Sequence, residues 1–188
     1  MLHTKRYNSP VGTLHLLADE AHLRGLWIEG QKYFPEDLQT IPAADGTHPV
    51  LSQTCAWLDR YFSGKRPSPE ELPLEPEGSP FRRIIWKELC LIPSGSVVTY
   101  RDLAGRAARI LNRKSMSAQA VGGAVGHNPI SIIIPCHRVV GADGSLTGYA
   151  GGLDRKEALL QLEGVDIRRF HRPGEPLCRK DSEPPMPV

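Results

Sequence analysis

Two adjacent residues in this 188-residue chain could do covalent chemistry: Cys136 and His137, in the run Asn128-Pro-Ile-Ser-Ile-Ile-Ile-Pro-Cys-His-Arg138. The nucleophilic form of cysteine is the thiolate, and a nearby imidazole can lower the thiol pKa or take its proton. A base used this way needs a third group to orient it. Asn128, upstream, and Glu163, on a later helix, are candidates for that part. The competing reading is packing, because unbonded cysteine is among the most buried residue types and an apolar run precedes this one.

The elements that must hold these groups follow from pattern. Ile132–Ile134, bounded by turn signals, predicts a short buried strand. Pro135 ends it, since proline cannot donate to a sheet ladder. Such a strand presents Cys136 and His137 at its tip. A last helix is expected from Asp154, with Ala158, Leu159 and Leu162 inward, closing at Glu163-Gly164. A carboxylate in a last helical turn opposes the helix dipole, so Glu163 calls for a reason.

Bulk properties narrow the class. The length fits one large domain or two small ones, and the composition is that of a soluble globular protein. No apolar run reaches membrane-spanning length, and the N-terminal residues lack the apolar core of a signal peptide. A cytoplasmic location is the expectation. The cysteines (Cys55, Cys90, Cys136, Cys178) form no C-x-x-C pair, so neither a zinc site nor a thioredoxin-like motif is supported. Charge is unevenly placed. Residues 81–172 carry 14 Lys or Arg against 7 Asp or Glu, whereas residues 1–80 carry 7 against 11. A basic half suits a polyanionic partner as well as it suits an ordinary solvated surface.

Taken in order, residues 1–30 predict a β-meander, with strands at Leu2–Tyr7, Gly12–Ala18 and Leu23–Ile28. Residues 31–49 read as loop. Leu51, Cys55, Leu58 and Phe62 make one stripe of a helix over 51–62. Residues 65–79, with four prolines, read as an extended linker and place a boundary near Glu77. Ser79-Pro80 starts a helix with Phe81, Ile84, Ile85, Leu89 and Ile92 buried. Val97-Val98 is a short extended piece. Thr99 and Asp102 form a capping box for a helix to about Leu111, with Leu103, Ala104, Ala107 and Ile110 inward. A further helix covers Ala118–Val125 from a start near Ser117. Its two internal glycines cost about 1 kcal/mol each against alanine, which close approach of another backbone would offset. The helix pair resembles a helix-turn-helix with a long connection. Residues 147–152 form a glycine-rich loop without the phosphate-loop pattern, and residues 173–188, with five prolines, read as disordered.

Ile134-Pro-Cys-His-Arg-Val-Val140, preceded by Val121-Gly-Gly-Ala124 and Asn128-Pro129, resembles the O6-alkylguanine-DNA alkyltransferases, that is, the methylated-DNA–protein-cysteine methyltransferases. Tyr149-x-Gly-Gly152 and Lys156-Glu-x-Leu-Leu160-x-x-Glu163-Gly164 continue the likeness in register. It is close from Ser79 to Gly164, and residues 1–64 fit the variable N-terminal domain. The resemblance implies an α+β fold: a small ribonuclease H-like β-meander domain over residues 1–77 with its linker, a mostly helical DNA-binding and alkyl-transfer domain with a helix-turn-helix over 78–172, and a disordered tail over 173–188.

The resemblance further implies direct-reversal repair. Cys136 attacks the alkyl group on guanine O6, or on thymine O4, once per molecule. His137 takes the thiol proton through a water, Glu163 orients His137, and Asn128 braces the turn. Tyr100 donates to the departing guanine. Cys136 and Val139 offer backbone carbonyls to its amino edge, while Tyr149, Ala150 and Gly151 close over the flipped base. Arg138 is expected to clamp rather than catalyse. The partner is double-stranded DNA containing O6-alkylguanine, bound by its minor groove to a monomer. Ala118, Ala120, Gly122 and Gly123 give close approach, and Arg113 and Lys114 lie beside them. Where relatives carry an arginine that fills the gap left by the base, this chain has Gln119. No cofactor or metal is implied. Two rivals are a non-enzymatic alkyltransferase-like damage sensor, which would lack the nucleophile, and a cysteine hydrolase, which would need an oxyanion hole.

Overall fold

The computed structural model describes residues 1–44 and 48–175. The N-terminal segment opens with an antiparallel sheet of order β1-β2-β3, formed by β1 (His3–Ser9), β2 (Gly12–Ala18) and β3 (Leu23–Ile28). Pairing is in register from Tyr7 against Leu14 to His15 against Trp27. Leu14, Leu16, Leu23, Leu26 and Ile28 are fully buried. Helix α1 (Pro49–Phe62) packs on this sheet through Val50, Leu51, Trp57, Leu58 and Tyr61. Of the expected stripe, Leu51 and Leu58 are buried, and Cys55 and Phe62 are half-buried beside them.

The outer edge of β3 is covered by backbone from two later segments. Leu23 donates to the Pro73 carbonyl and accepts from Glu75 N–H. Farther along, Leu26 donates to Pro129 O and accepts from Ser131 N–H. An exposed edge strand invites mispairing, and here it is used to dock the segment that leads to Cys136. Residues 65–79, expected as an extended linker, are largely extended but packed against the core. Leu72 is buried, Leu74 packs on the core, and Trp57 Nε1 donates to Ser68 O at 2.8 Å. Proline fixes the backbone without preventing the leucines between from burying.

The C-terminal segment stacks α2 (Pro80–Cys90), α3 (Tyr100–Ile110) and α4 (Ala118–Gly126) against one another, with α3 and α4 as the helix-turn-helix pair. Each begins on a hydroxyl cap: Ser79 to Arg82 N–H, Thr99 in a complete capping box with Asp102, and Ser117 to Gln119 and Ala120 N–H. Such caps stabilise by about 1 kcal/mol each. Trp86, absent from the expected stripe of α2, is buried, and its Nε1 donates to Ala124 O at 2.9 Å. Phe81 and Ile84 are only half-buried, and Ile110 is exposed where Ala108 is buried. Strands β4 (Val98–Thr99) and β5 (Val139–Val140) pair in parallel, which sets the start of α3 beside the exit of the cysteine turn. Helix α5 (Leu153–Leu162) follows.

One apolar cluster runs through both segments and includes Leu26, Trp57, Ile85, Val121, Ile132 and Cys136. Mixed α+β architecture, with a small N-terminal sheet and a helical C-terminal region, is what the sequence pattern predicts. Among the described residues no helix is long and apolar enough to cross a membrane. The expected tail falls mostly outside the described residues, since only 173–175 of it are described.

Candidate active site and nucleic-acid face

The isoleucine run is buried, but it is not a strand. Residues 131–134 form a turn, and Cys136–Arg138 is a single 3₁₀ turn. Ile132 has φ +71°, a left-handed conformation that costs a branched residue roughly 1–2 kcal/mol. The turn holds because its polar groups are met internally. Asn128 Nδ2 donates to Ile134 O at 2.7 Å, and its Oδ1 accepts from Ile130 N–H at 3.0 Å. Ser131 Oγ donates to Gln31 Oε1, which also takes Ile28 N–H. A short apolar run and a buried turn therefore look alike in sequence, and Asn128 decides between them.

Cys136 is 5% exposed. Asn128 Nδ2 lies 3.1 Å from its sulfur. Burial pushes the thiol pKa up, while the Asn128 N–H and the nearby Lys156 charge pull it down; burial prevails. The thiol thus stays protonated until a base takes the proton.

His137 is fully buried, with Nε2 2.8 Å from Glu163 Oε1. Burial lowers its pKa against the pull of Glu163, so it stays neutral. Glu163 is ionised: burial raises its pKa, but hydrogen bonds from His137 and Arg138 outweigh that and hold it well below the usual carboxylate range. An ionised acceptor at Nε2 places the imidazole proton there. Nδ1 then carries the lone pair, and it is buried with no partner among the described residues.

Glu163 caps α5 from a buried position, and its place at the helix end is explained by the donors around it. Arg138 donates through Nε and Nη2 at 2.8 Å each, with Nη1 on Ile92 O. Tyr61, from α1, donates its hydroxyl to Oε1 at 2.8 Å, and Gly95 N–H reaches Oε2. Arg66 Nη2 holds the Glu163 carbonyl.

Tyr100, the first residue of α3, donates to Thr147 O at 3.0 Å. The same carbonyl accepts from Lys156 Nζ at 2.8 Å, and Lys156 also reaches Val139 O at 2.6 Å. Lys156 is fully buried, and burial brings its pKa down to about 8. Tyr149 is 9% exposed, stands edge-on to His137 at 6.4 Å, and has no partner for its buried hydroxyl among the described residues. The loop it sits on needs glycine. A Cβ at Gly148 would lie 2.3 Å from the Tyr100 hydroxyl, and one at Gly151 would lie 2.6 Å from the Tyr149 ring.

Cys136, His137, Glu163 and Asn128 thus come together, with Tyr100, Val139, Tyr149, Ala150 and Gly151 around them. On α4, Ala118, Gln119, Ala120 and Gly123 are exposed, and Gly122 lies against Tyr100. Arg113 and Lys114 are exposed and line a groove of about 630 Å³ beside α3 and Ala118. The sequence reading missed Tyr61, Gln31 and Lys156. It also set Ala158 and Leu162 inward on α5, where both are exposed. The buried stripe is Lys156, Leu159, Leu160 and Glu163, and taking the two charged residues as surface displaced it. The signal was spacing: 156, 159, 160 and 163 share one helical face.

A buried thiol braced by an amide, a neutral imidazole with a free lone pair, and a fixed carboxylate can generate a thiolate. Among the described residues there is no cluster that could hold a metal ion. The model of the 6-O-methylguanine DNA methyltransferase DNA binding domain matches residues 80–165, and that of its ribonuclease-like domain matches residues 2–76. The chain is 43% identical over 159 residues to the methylated-DNA–protein-cysteine methyltransferase of Haemophilus influenzae, covering 85% of this chain and 84% of that one. It is 40% identical over 174 residues to the same-named protein of Methanosarcina barkeri, covering 85% and 96%. Its fold is similar to a crystal structure of Mycobacterium tuberculosis OGT in complex with DNA, with TM-score 0.73 and 36% identity over 89% of this chain and 94% of that one.

Proposed function

The chain belongs to the 6-O-methylguanine DNA methyltransferase family, and we propose that it moves the alkyl group of O6-alkylguanine irreversibly onto Cys136. Its activity is that of a methylated-DNA–protein-cysteine methyltransferase, a direct reversal of DNA damage, and its partner is DNA. The observation that carries the assignment of residues is the relay at the cysteine. Asn128 braces Sγ, and His137 presents an unpartnered Nδ1 while Glu163 fixes Nε2.

The thiol proton passes to His137 Nδ1 through one water. The thiolate then attacks the alkyl carbon, so an S–C bond forms as the O6–C bond breaks. The electron pair stays on guanine, and Tyr100, turned from Thr147 O, donates to the ring as charge develops there. Guanine regains at N1 one proton, equivalent through solvent to the one His137 took from the thiol, and leaves intact. The thioether has no nucleophilic thiolate left, so each molecule reacts once. The carbonyls of Cys136 and Val139 accept the guanine amino group, and Tyr149, Ala150 and Gly151 close over the base. Thymine O4 presents the same alkyl–oxygen bond.

The target atom is stacked inside the duplex, so the nucleotide is flipped out. The small residues Ala118, Ala120, Gly122 and Gly123 let α4 lie in the minor groove, with Arg113 and Lys114 on nearby phosphates. Gln119 occupies the gap left by the base. The protein acts as a cytoplasmic monomer, with an N-terminal domain and linker over 1–77 and the reacting domain over 78–172. The limits of the two matched family models, 2–76 and 80–165, support that division.

Mass spectrometry after incubation with a duplex containing O6-methylguanine tests the reading. A methyl-sized gain confined to the peptide holding Cys136, absent in Cys136→Ala, is expected. Intact protein with no gain would overturn it in favour of a non-enzymatic damage sensor.

A further inference from the structure

The N-terminal segment reaches the C-terminal end of α4 at the turn after β3. Lys32 and Tyr33, just after β3, line a cavity of about 420 Å³ together with Gly123, Gly126 and His127 of the α4 end and Ala150 of the loop beside the cysteine. Lys32 N–H donates to Ala150 O at 2.9 Å, which ties this turn to that loop.

Three features of the turn are costly or unused within the protein itself. Tyr33 has φ +62°, a strained conformation for a non-glycine residue. Its ring stacks on His127 at 4.1 Å and 22° between planes, yet the residue stays 49% exposed. His127 is in turn fixed by Nδ1 on Gly123 O at 2.7 Å. The Lys32 ammonium sits 4.9 Å from the Tyr33 ring centre, and among the described residues it has no ion-pair or hydrogen-bond partner. A cation held over an aromatic ring is pre-positioned at less entropic cost than a free lysine. This lysine also stands in the acidic segment of the chain, on the side that faces the basic one. Beside it, a Cβ added at Gly123 or Gly126 would meet nothing within 4 Å, so packing inside the protein does not require glycine there.

We propose that the Lys32–Tyr33 turn is a second DNA contact, in which the ammonium takes a backbone phosphate of the strand carrying the extruded nucleotide and the ring edge lies along its sugar. The proposal rests on the assignment of α4 as the DNA-facing helix, with which the turn forms one continuous surface through His127. It gives the N-terminal domain a direct part in binding and makes the groove two-sided. An aromatic ring beside a cation is the combination that binds single nucleotides out of the stack without reading sequence.

The test uses full-length protein, Lys32→Gln with Tyr33→Gly, and the conservative pair Lys32→Arg with Tyr33→Phe. Glycine suits the positive φ, so the first pair removes the charge and the ring without adding strain. Fluorescence anisotropy with an undamaged duplex, repeated over a salt series, reads affinity and the number of neutralised phosphates. The disrupting pair is expected to bind about 5–10-fold more weakly and to lower the salt slope by about one. Methyl transfer at saturating protein should change less than about twofold. The conservative pair should restore affinity and slope. Unchanged affinity and slope would overturn the proposal. So would a lost saturating rate at unchanged affinity, which would make the turn a support for the 147–152 loop. Failure of the wild-type protein to gain a methyl at Cys136 is a separate result that would strike the functional assignment instead.

Discussion

The surroundings of Glu163 and the outer face of α4 are built in opposite ways. Around Glu163 the polar atoms are matched inside the protein, with donors from His137, Arg138, Tyr61 and Gly95 on one carboxylate. On α4, Ala118, Gln119, Ala120 and Gly123 face outward, and a Cβ added at Gly123 would meet nothing within 4 Å. Reacting groups gain from being over-determined, because preorganised partners need no rearrangement as charge develops. A face that receives a large polyanion must instead be left open. Substitutions in the first region should therefore act on stability and chemistry together, and those in the second on binding alone.

The largest effect is expected at Glu163. Glu163→Gln leaves the buried Arg138 guanidinium without its charge partner, and breaking one side of such a pair costs about 3–5 kcal/mol. Chemical denaturation should show that loss, and methyl transfer should fall with it because His137 loses its fixed tautomer. The pH dependence sharpens the point. The folded pKa of Glu163 is depressed, so its stabilisation is present above the unfolded value of 4.5 and is lost as pH falls below it. Wild type should lose stability steeply below about pH 4.5, and the variant should follow a flatter curve. Equal slopes would mean that the carboxylate is not the group being titrated.

How much of this was legible in the sequence divides along the same line. Helix starts carry local chemistry, so Ser79, Thr99 and Ser117 mark α2, α3 and α4 where the caps form. The β2 and β3 spans follow from alternation and turn residues. The Ile132–Ile134 run misleads because its fold is set by Asn128 and by pairing with β3 just over a hundred residues earlier. Tyr61 and Gln31 were invisible for the same reason, since their partners Glu163 and Ser131 lie 102 and 100 residues away. Lys156 was hidden by its charge, because a lysine on an apolar stripe is normally assigned to solvent.

Lys156 gives the next effect. At Lys156→Met the Val139 carbonyl loses its donor, at about 1–3 kcal/mol for a buried group left unpaired, while Thr147 O keeps the Tyr100 hydroxyl. The charge matters separately. A neutral amine still has two hydrogens for two carbonyls, so deprotonation near pH 8 should spare the geometry and remove only the positive field at Cys136. The transfer rate should therefore stop rising, or fall, above about pH 8, and Lys156→Arg should move that limb upward. An identical limb in the arginine variant would assign it to another group.

Tyr61→Phe is a smaller perturbation within the same region. The ring remains stacked on Trp57 at 5.4 Å, and only the hydroxyl on Glu163 Oε1 is lost. A hydrogen bond to a charged acceptor contributes about 1.5–3 kcal/mol, and four other donors remain, so a loss at or below the low end is expected in denaturant. Transfer should fall modestly, because Oε1 also aligns His137. An unchanged rate with lowered stability would confine Tyr61 to holding the two segments together.

The smallest effect, and the one that most directly contrasts the two regions, is at Gln119. It is exposed in the first turn of α4, and its side chain contacts nothing that the relay depends on. Gln119→Arg adds a guanidinium able to stack in a base gap and attract phosphate. DNA affinity should rise about 3–5-fold and the salt slope by about one, with denaturation unchanged within about 0.5 kcal/mol. If repair of O6-methylguanine DNA speeds up only at sub-saturating DNA, the substitution acts on binding, as an open face requires. If it speeds up at saturation too, base extrusion limits the reaction in this chain. If neither affinity nor rate changes, glutamine already serves the gap, and the open face tolerates more variation in that position than the relay does in any of its own.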